Sequence, residues 1–144
     1  MGTKQFSTFR LDGHFLGIEV TRVQEVIRAQ RMTNVPLAPP EIRGLINLRG
    51  QIVTALDLRR RLALPDRPDG SPEPMNVVVR TGDGSVSLLV DEIGDVLTVD
   101  DDDFERPPDT LEGIARTLIH GAYKLDGRLL LVLDTEKAVS LAAA

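Results

Sequence analysis

The chain has 144 residues with a hydrophobic fraction of 42% and an aromatic fraction of 3%, so we expect one domain with a core of Val, Leu and Ile. It contains no cysteine, which excludes disulfides, thiolate metal sites and a cysteine nucleophile. Its net charge of −5 argues against general nucleic-acid binding.

The first half of the chain predicts short strands. Apolar alternation on both sides of Asp12-Gly13 indicates a hairpin of two antiparallel strands, because Asp-Gly favours a two-residue turn. The valines of "VTRVQEVIRA" fit one helical turn that continues into another strand. The prolines of "NVPLAPPEIRG" exclude a central strand there, and Glu41 to Gly44 is a candidate helical turn. Next, "QIVTALDL" predicts a buried strand and "LRRRLAL" a short helix with exposed arginines.

The second half begins after a proline-rich segment. Residues 65–74, "PDRPDGSPEP", hold four prolines and one glycine, which is typical of a loop or linker. Strands follow in "MNVVVRT", in "VSLLVDEIGDVLTV" and in a hairpin that turns at Asp126-Gly127. The last segment, "EKAVSLAAA", predicts a short helix. Short strands separated by turns about every 8–12 residues indicate an all-β barrel or sandwich.

An internal repeat relates the two halves. The segment "GIEVTRVQEVI" (17–27) aligns with "SLLVDEIGDVL" (87–97) at an offset of 70, and "IRGLINLRGQIVTALDL" (42–58) aligns with "IHGAYKLDGRLLLVLDT" (119–135) at an offset of 77. A single duplication explains both offsets. Two glycines recur in each copy, and we expect them to serve turn geometry. They are Gly44 with Gly121 and Gly50 with Gly127.

The repeat predicts two similar β subdomains, residues about 1–65 and about 75–144, joined by the proline-rich linker. Each is too small to hold a large core alone, so we expect them to share one core and to form a groove suited to a partner. Residues 1–65 carry a charge balance of +5 and residues 66–144 a balance of −10. Such asymmetry indicates two faces for protein partners, or two halves that attract each other.

The chain resembles the CheW family of bacterial and archaeal chemotaxis coupling proteins over about residues 5–140. The resemblance rests on "GIEVTRVQEVI", "NVPLAPPEIRGLINLRGQIVTALDL", "SLLVDEIGDVL" and "YKLDGRLLLVLD". It implies an all-β fold of two five-stranded SH3-like barrels around a shared apolar core, with short helices. It also implies a non-enzymatic adaptor that couples methyl-accepting chemoreceptors to a CheA-type histidine kinase, whose regulatory domain has the same fold.

The resemblance also implies a binding site in the groove between the barrels, where the receptor tip would lie. Asn47-Leu48-Arg49-Gly50 matches the family's Asn-Leu-Arg-Gly, whereas Thr54 stands where many members have proline. Adjacent strand residues face opposite sides, so one residue of each pair 26–27 and 96–97 should be exposed. The predicted partner-binding residues are Glu25, Val26, Ile27, Asn47, Arg49, Gly50, Val90, Asp91, Val96 and Leu97.

Asn47 and Arg49 differ from the repeated positions around them. Their counterparts in the second copy are Lys124 and Asp126, which indicates that the fold alone does not require Asn and Arg. Arginine is a planar donor that can bridge to a partner's carboxylate or carbonyl groups. The alternative is an arginine tied to Asp57 or Glu25 within its own barrel.

Other charged clusters have simpler interpretations. Asp100 to Asp103 lack the spaced ligands of a calcium loop, so we expect a solvated loop. We expect Arg59 to Arg61 to form a solvated helix face rather than a patch that steers an acidic partner. His14 and His120 are isolated, and we find no phosphate-binding loop or catalytic constellation. The sequence therefore predicts no cofactor, no metal and no enzyme activity.

Two other functional classes remain as alternatives. A small-ligand-binding or enzymatic β-barrel module would use the groove as a deep, polar-lined pocket. A nucleic-acid-binding barrel is opposed by the acidic second half and the few aromatics.

The first ten residues lack the apolar stretch of a signal peptide, and no apolar run approaches about 18 residues. We therefore expect a cytoplasmic protein, recruited to receptor arrays at the inner face of the membrane without inserting into it.

Overall fold

The computed structural model describes residues 2–82 and 84–143, with backbone only for residues 141–143. This part of the chain is mainly β, as predicted. The strands are β1 (Thr3–Leu11), β2 (His14–Glu19), β3 (Val23–Ile27), β4 (Ile42–Leu48), β5 (Gln51–Asp57), β6 (Met75–Thr81), β7 (Gly84–Val90), β8 (Glu92–Asp100), β9 (Phe104–Glu105), β10 (Ile119–Leu125) and β11 (Arg128–Leu133). The helices are α1 (Leu58–Arg61), α2 (Gly113–Leu118) and α3 (Thr135–Ala143), with 3-10 turns at Val20–Arg22 and Asp101–Asp103.

The strands form two sheets. The terminal sheet, which holds the strands from both ends of the chain, has the order β8-β1-β2-β11-β10-β9. The central sheet has the order β3-β6-β7-β5-β4. Within the described residues, no helix is both long and apolar enough to span a membrane.

The sheets do not divide at the proline-rich segment. The β1–β2 hairpin of the first half lies beside β8 and β11 of the second half, and the β6–β7 hairpin lies beside β3 and β5 of the first. Leu16 of β2 pairs in parallel with Leu131 of β11, which joins the first-half hairpin to the second-half strands. The boundaries predicted for the two subdomains, about 1–65 and about 75–144, therefore do not match the sheets, because each repeat copy contributes its first hairpin to the other copy's sheet.

The repeat itself is present in the strand register. The parallel pair Leu16–Leu131 of the terminal sheet corresponds to the parallel pair Val86–Thr54 of the central sheet. Leu16 matches Val86 at the offset of 70, and Leu131 matches Thr54 at the offset of 77. The bulge between residues 42 and 44 of β4 likewise has its counterpart between residues 119 and 121 of β10. The two sheets are thus equivalent arrangements, in which β1 to β5 correspond to β6, β7, β8, β10 and β11.

The two sheets share one apolar core, as predicted. Its largest cluster takes side chains from both, including Leu16 of β2 and Leu88 of β7. Smaller clusters lie within each sheet, around Val53 in the central sheet and around Leu130 in the terminal sheet. Each fully buried leucine contributes roughly 2 kcal/mol. Because the main cluster depends on both sheets, we expect them to unfold together.

Two local predictions are wrong. Residues 41–44 do not form a helical turn, because β4 begins at Ile42. The amide of Ile42 donates to the carbonyl of Pro39 at 2.9 Å, which closes a turn just before the strand. Gly44 and Gly121 do not lie in turns. A Cβ on Gly44 would lie 2.6 Å from the carbonyl oxygen of Thr33, and one on Gly121 would lie 2.8 Å from that of Glu105. These glycines instead allow a neighbouring segment to pass close to the strand.

Candidate functional site

The β4–β5 turn has an unusual residue at its tip. Leu48 pairs with Gln51, and the two residues between them have positive φ, 53° for Arg49 and 88° for Gly50. Two-residue hairpins with both central residues left-handed favour Asn, Asp or Gly. The Cβ of an ordinary L-residue such as arginine costs about 1 kcal/mol in this conformation. Arg49 therefore occupies a position that its own backbone preference disfavours.

Asn47 supports this turn from the preceding strand. Its side chain is exposed, and its Oδ1 accepts a hydrogen bond from the amide of Gly50 at 2.8 Å. Gly50 provides the second left-handed position. Both residues were predicted to bind a partner. Their contacts in the structure hold the turn that displays Arg49.

The Arg49 side chain forms a two-pronged ion pair with Glu25 on β3. Nη1 donates to Oε2 at 2.5 Å and Nη2 donates to Oε1 at 2.9 Å. The hydrogen bond from Arg49 lowers the pKa of Glu25 and raises the pKa of Arg49 itself. Asp57, the other candidate partner, instead pairs with Arg43 at 3.3 Å. Arg49 is thus tied to its own sheet.

The ion pair leaves most of Arg49 in solvent. Its side chain is 72% exposed while that of Glu25 is 18% exposed. The guanidinium has five N–H donors, and the pair with Glu25 uses two of them. A solvated ion pair of this kind contributes little to folding stability. Its clearest physical effect is to fix the direction in which the remaining donors point.

Apolar residues are exposed beside this ion pair and at the equivalent place in the terminal sheet. Val26 is 38% exposed, whereas Ile27 packs against the core cluster of the central sheet. On β8, 70 residues later, Val96 is 55% exposed and Leu97 is half-buried. The predicted alternation is present on both strands, which are edge strands of their sheets. That the two strands line one groove stays a prediction.

The remaining two predicted contacts act inside the molecule. Val90 has no exposed surface and lies in the shared core, so its predicted contact with a partner is wrong. The Asp91 carboxylate accepts hydrogen bonds from Arg59 at 2.9 and 2.6 Å and from the amide of Asp12 at 2.8 Å. Burial raises the pKa of Asp91, but these hydrogen bonds outweigh burial and hold the pKa below its usual value. Asp91 joins α1, the β1–β2 turn and the β7–β8 junction.

Comparison with known proteins places these features in a family. The family model of the CheW-like domain matches residues 5–143. The chain belongs to the CheW-like family. It is 30% identical over 139 residues to chemotaxis protein CheW of Treponema pallidum, covering 94% of this chain and 82% of the relative. It is 34% identical over 126 residues to chemotaxis protein CheW of Bacillus subtilis, covering 88% and 80%.

A solved structure agrees with this assignment. The crystal structure of scaffolding protein TtCheW from Thermoanaerobacter tengcongensis matches with a TM-score of 0.86 and 26% identity, covering 96% of this chain and 94% of that one. The predicted pair of SH3-like subdomains is thereby confirmed. The family is one of chemotaxis scaffold proteins.

The arginines of α1 are not the solvated face that the sequence predicted for this CheW-like chain. Arg59 is buried against Asp91. Arg60 pairs with Asp66 at 3.1 Å, and Arg61 donates to the carbonyls of Ala138 and Lys137 at 3.0 and 2.9 Å. Helix position alone predicts exposure for arginine, and only the fold reveals these acceptors. The three residues brace α1, so they are poor candidates for steering a partner.

The acidic run fits its simpler interpretation as a solvated loop. Asp101–Asp103 form a 3-10 turn capped by the Asp100 carboxylate, which accepts from the amide of Asp102 at 2.9 Å. His120 stacks on Phe104, with ring centroids 5.7 Å apart. Among the described residues, no group of three or more His, Asp or Glu side chains is placed to hold a metal ion. A cavity of about 550 Å³ lies under the proline-rich segment, beside Arg59 and not beside Val26 or Val96.

Proposed function

We propose that this chain is a cytoplasmic adaptor that couples methyl-accepting chemoreceptors to a CheA-type histidine kinase and performs no chemistry itself. The CheW-like family supports the scaffold role. The observation that carries the proposal is the exposed Arg49 side chain, displayed on a left-handed turn and aligned by Glu25. The chain would act at the inner face of the membrane, where receptor tips and kinase assemble.

The local energetics of the turn favour a role in recognition. Asn or Gly would remove about 1 kcal/mol of backbone cost from position 49. The hairpin that repeats this one has Asp126 at the matching position, and Asp126 stays outside the left-handed region. Strain held at one copy of a repeated turn motivates a functional explanation. An arginine oriented in advance loses less freedom on binding, which favours recognition of carboxylate or carbonyl acceptors.

Exposed aliphatic side chains supply the apolar part of the proposed surface. Val26 follows Glu25 directly on β3, and Val96 occupies the equivalent position on β8. An amphipathic helix buries its apolar face in a groove lined by such residues. We assign the receptor tip to a groove bordered by Val26, Val96 and Leu97, with Arg49 at its polar edge. The kinase's regulatory domain would bind a barrel face.

Calorimetric titration of the purified chain tests the proposal. We expect binding of a CheA regulatory domain and of a receptor-tip fragment with Kd values on the order of tens of micromolar. Arg49→Asn keeps a favourable Asn-Gly turn and removes the displayed cation, so at least one affinity should fall by about tenfold. Asp126→Asn, at the matching position of the other hairpin, is the control and should bind normally. A folded chain that binds neither partner would refute the coupling function.

A further inference from the structure

A second candidate binding surface lies on the terminal sheet. Arg10 at the end of β1, Phe15 at the start of β2 and Arg128 at the start of β11 meet at one edge of a cleft of about 360 Å³. We call it the Arg-Phe-Arg cleft. Strand pairing assembles it, because Arg10 is opposite Phe15 in the first hairpin and β11 runs beside β2.

Within residues 2–82 and 84–143, the two arginines of the cleft have no anionic partner. The guanidinium carbon of Arg128 lies 4.0 Å from the centre of the Phe15 ring and that of Arg10 lies 5.8 Å away. Neither side chain makes an ion pair or a hydrogen bond among the described residues, although Glu92 is the cross-strand neighbour of Arg10 and Asp126 lies in the turn before Arg128. No carboxylate of the described part of the chain lines the cleft. Two unpaired cations here contrast with the chain's net charge of −5.

The fold does not require this arrangement, since the central sheet lacks it. The matching positions there are Arg80, Ser85 and Gln51. Arg80 donates to the carbonyls of Thr21 and Val23, so its charge is used within the chain. The aromatic ring and the second arginine have no counterpart. The cleft is thus a feature of the terminal sheet alone, as the Glu25–Arg49 pair is of the central sheet.

The chemistry of the cleft selects its occupant. Leu111, Leu129 and the ring of Phe15 provide an apolar lining, and the two guanidinium groups provide outward N–H donors. Arg10 and Arg128 lie on strands separated by β2, hence about 10 Å apart at the backbone. Their guanidinium carbons lie 5.8 and 4.0 Å from the same ring centre and are therefore at most about 10 Å apart, so each group can pair with its own carboxylate on one bound chain. Stacking on an aromatic face leaves the edges of both guanidinium groups free for such pairing.

We propose that the Arg-Phe-Arg cleft binds an acidic segment of a partner protein, in which carboxylates flank an apolar side chain. The apolar side chain enters the space beside Phe15 and Leu129, and the carboxylates pair with Arg10 and Arg128. The two arginines are exposed, so a passing chain can reach both. This site is separate from the Glu25–Arg49 pair, and its occupation does not depend on the proposed coupling function.

Titration with synthetic peptides tests the cleft in the full-length chain. The probe is an end-capped peptide of sequence GDEFEDG, and its neutral counterpart is GNQFQNG. We expect the acidic peptide to bind with a Kd on the order of 100 µM and to weaken severalfold between low and physiological salt. Chemical-shift changes should centre on Arg10, Phe15 and Arg128. Equal binding of the two peptides, or shifts centred elsewhere, would overturn the proposal.

Variants test whether the peptide binds at the cleft and whether a second copy of the chain occupies it. Arg128→Gln should weaken the acidic peptide about fivefold, and adding Arg10→Gln should weaken it further. Arg31→Gln is the matched control, because Arg31 is exposed and makes no ion pair among the described residues. Unchanged affinity in the double variant would reject the cleft. Sedimentation showing self-association that the double variant abolishes would also reject it, because the occupant would then be a second copy of the chain.

Discussion

The β4–β5 and β10–β11 hairpins share a register but differ in what they display. Both place a glycine with positive φ in a two-residue turn, at Gly50 and Gly127. The first hairpin adds Arg49, which pairs with β3, while the second adds Arg128, which stacks on Phe15. The glycines kept in both hairpins form the turns, whereas Arg49 and Arg128, which differ from their matching residues, lie on the surface. The internal repeat therefore separates architecture from specialised surfaces within a single sequence.

The same comparison extends to the ion pairs that anchor the helices. Arg59 of α1 pairs with Asp91 before β8, and Glu136 of α3 pairs with Arg22 before β3. Arg59 and Glu136 are matching positions of the repeat, whereas their partners Asp91 and Arg22 are one position out of register. The first pair is mostly buried, whereas the side chain of Glu136 is 60% exposed. The two pairs should therefore differ widely in their contribution to stability.

Asp91→Ala should have the largest effect on stability. It leaves the buried Arg59 with only the longer and more exposed ion pair to Asp12 at 3.6 Å, so the loss should be about 3 kcal/mol, the low end for breaking a buried ion pair. Glu136→Ala, at the matching anchor, should change the free energy of unfolding by less than about 0.5 kcal/mol. Urea unfolding of both variants measures the difference. Similar losses in the two variants would show that burial does not determine how much each ion pair contributes to the free energy of unfolding.

The pH dependence of stability should depend on the same carboxylate. The folded-state pKa of Asp91 is below its unfolded value of about 3.9, so its contribution is present above that pH and is lost as pH falls through the folded pKa. Between about pH 5 and pH 2, the wild type should therefore lose more stability than Asp91→Asn. Urea midpoints across this range provide the measurement. Parallel curves for the two proteins would mean that other carboxylates dominate acid unfolding.

Arg49→Asn should separate binding from stability. The Asn-Gly turn removes the backbone cost at position 49, while the lost ion pair with Glu25 is mostly in solvent, so the melting temperature should stay the same or rise slightly. Arg49→Ala should also fold, although alanine retains the left-handed cost. Thermal unfolding followed by circular dichroism gives the comparison. A large fall in melting temperature with unchanged partner binding would make Arg49 a structural residue.

The sequence predicts local structure well here because the hairpins carry local determinants. Asp-Gly at residues 12–13 and the periodicity of β5 both act over a few residues. The exchange of hairpins between halves depends on the pairing of Leu16 with Leu131, which no local pattern encodes. The predictions that Val90 contacts a partner and that Arg59 is solvated were wrong for a related reason. A residue in a matching motif, or an arginine on a short helix, is buried or exposed according to distant segments.

Ala63→Gly should have the smallest effect and the opposite sign. Ala63 follows α1 with a φ of 58°, and its amide donates to the carbonyl of Arg60 at 3.0 Å, so it occupies the left-handed position at which glycine usually ends a helix. Its match in the repeat, Ser140, continues α3. Glycine should stabilise the chain by about 0.5 kcal/mol, since relief of the left-handed cost exceeds the entropy it adds to the unfolded state. Ser140→Gly, the matched control, should destabilise by a similar amount, because glycine weakens a helix interior. A loss of stability in Ala63→Gly would show that the Cβ contacts at this position outweigh its backbone strain.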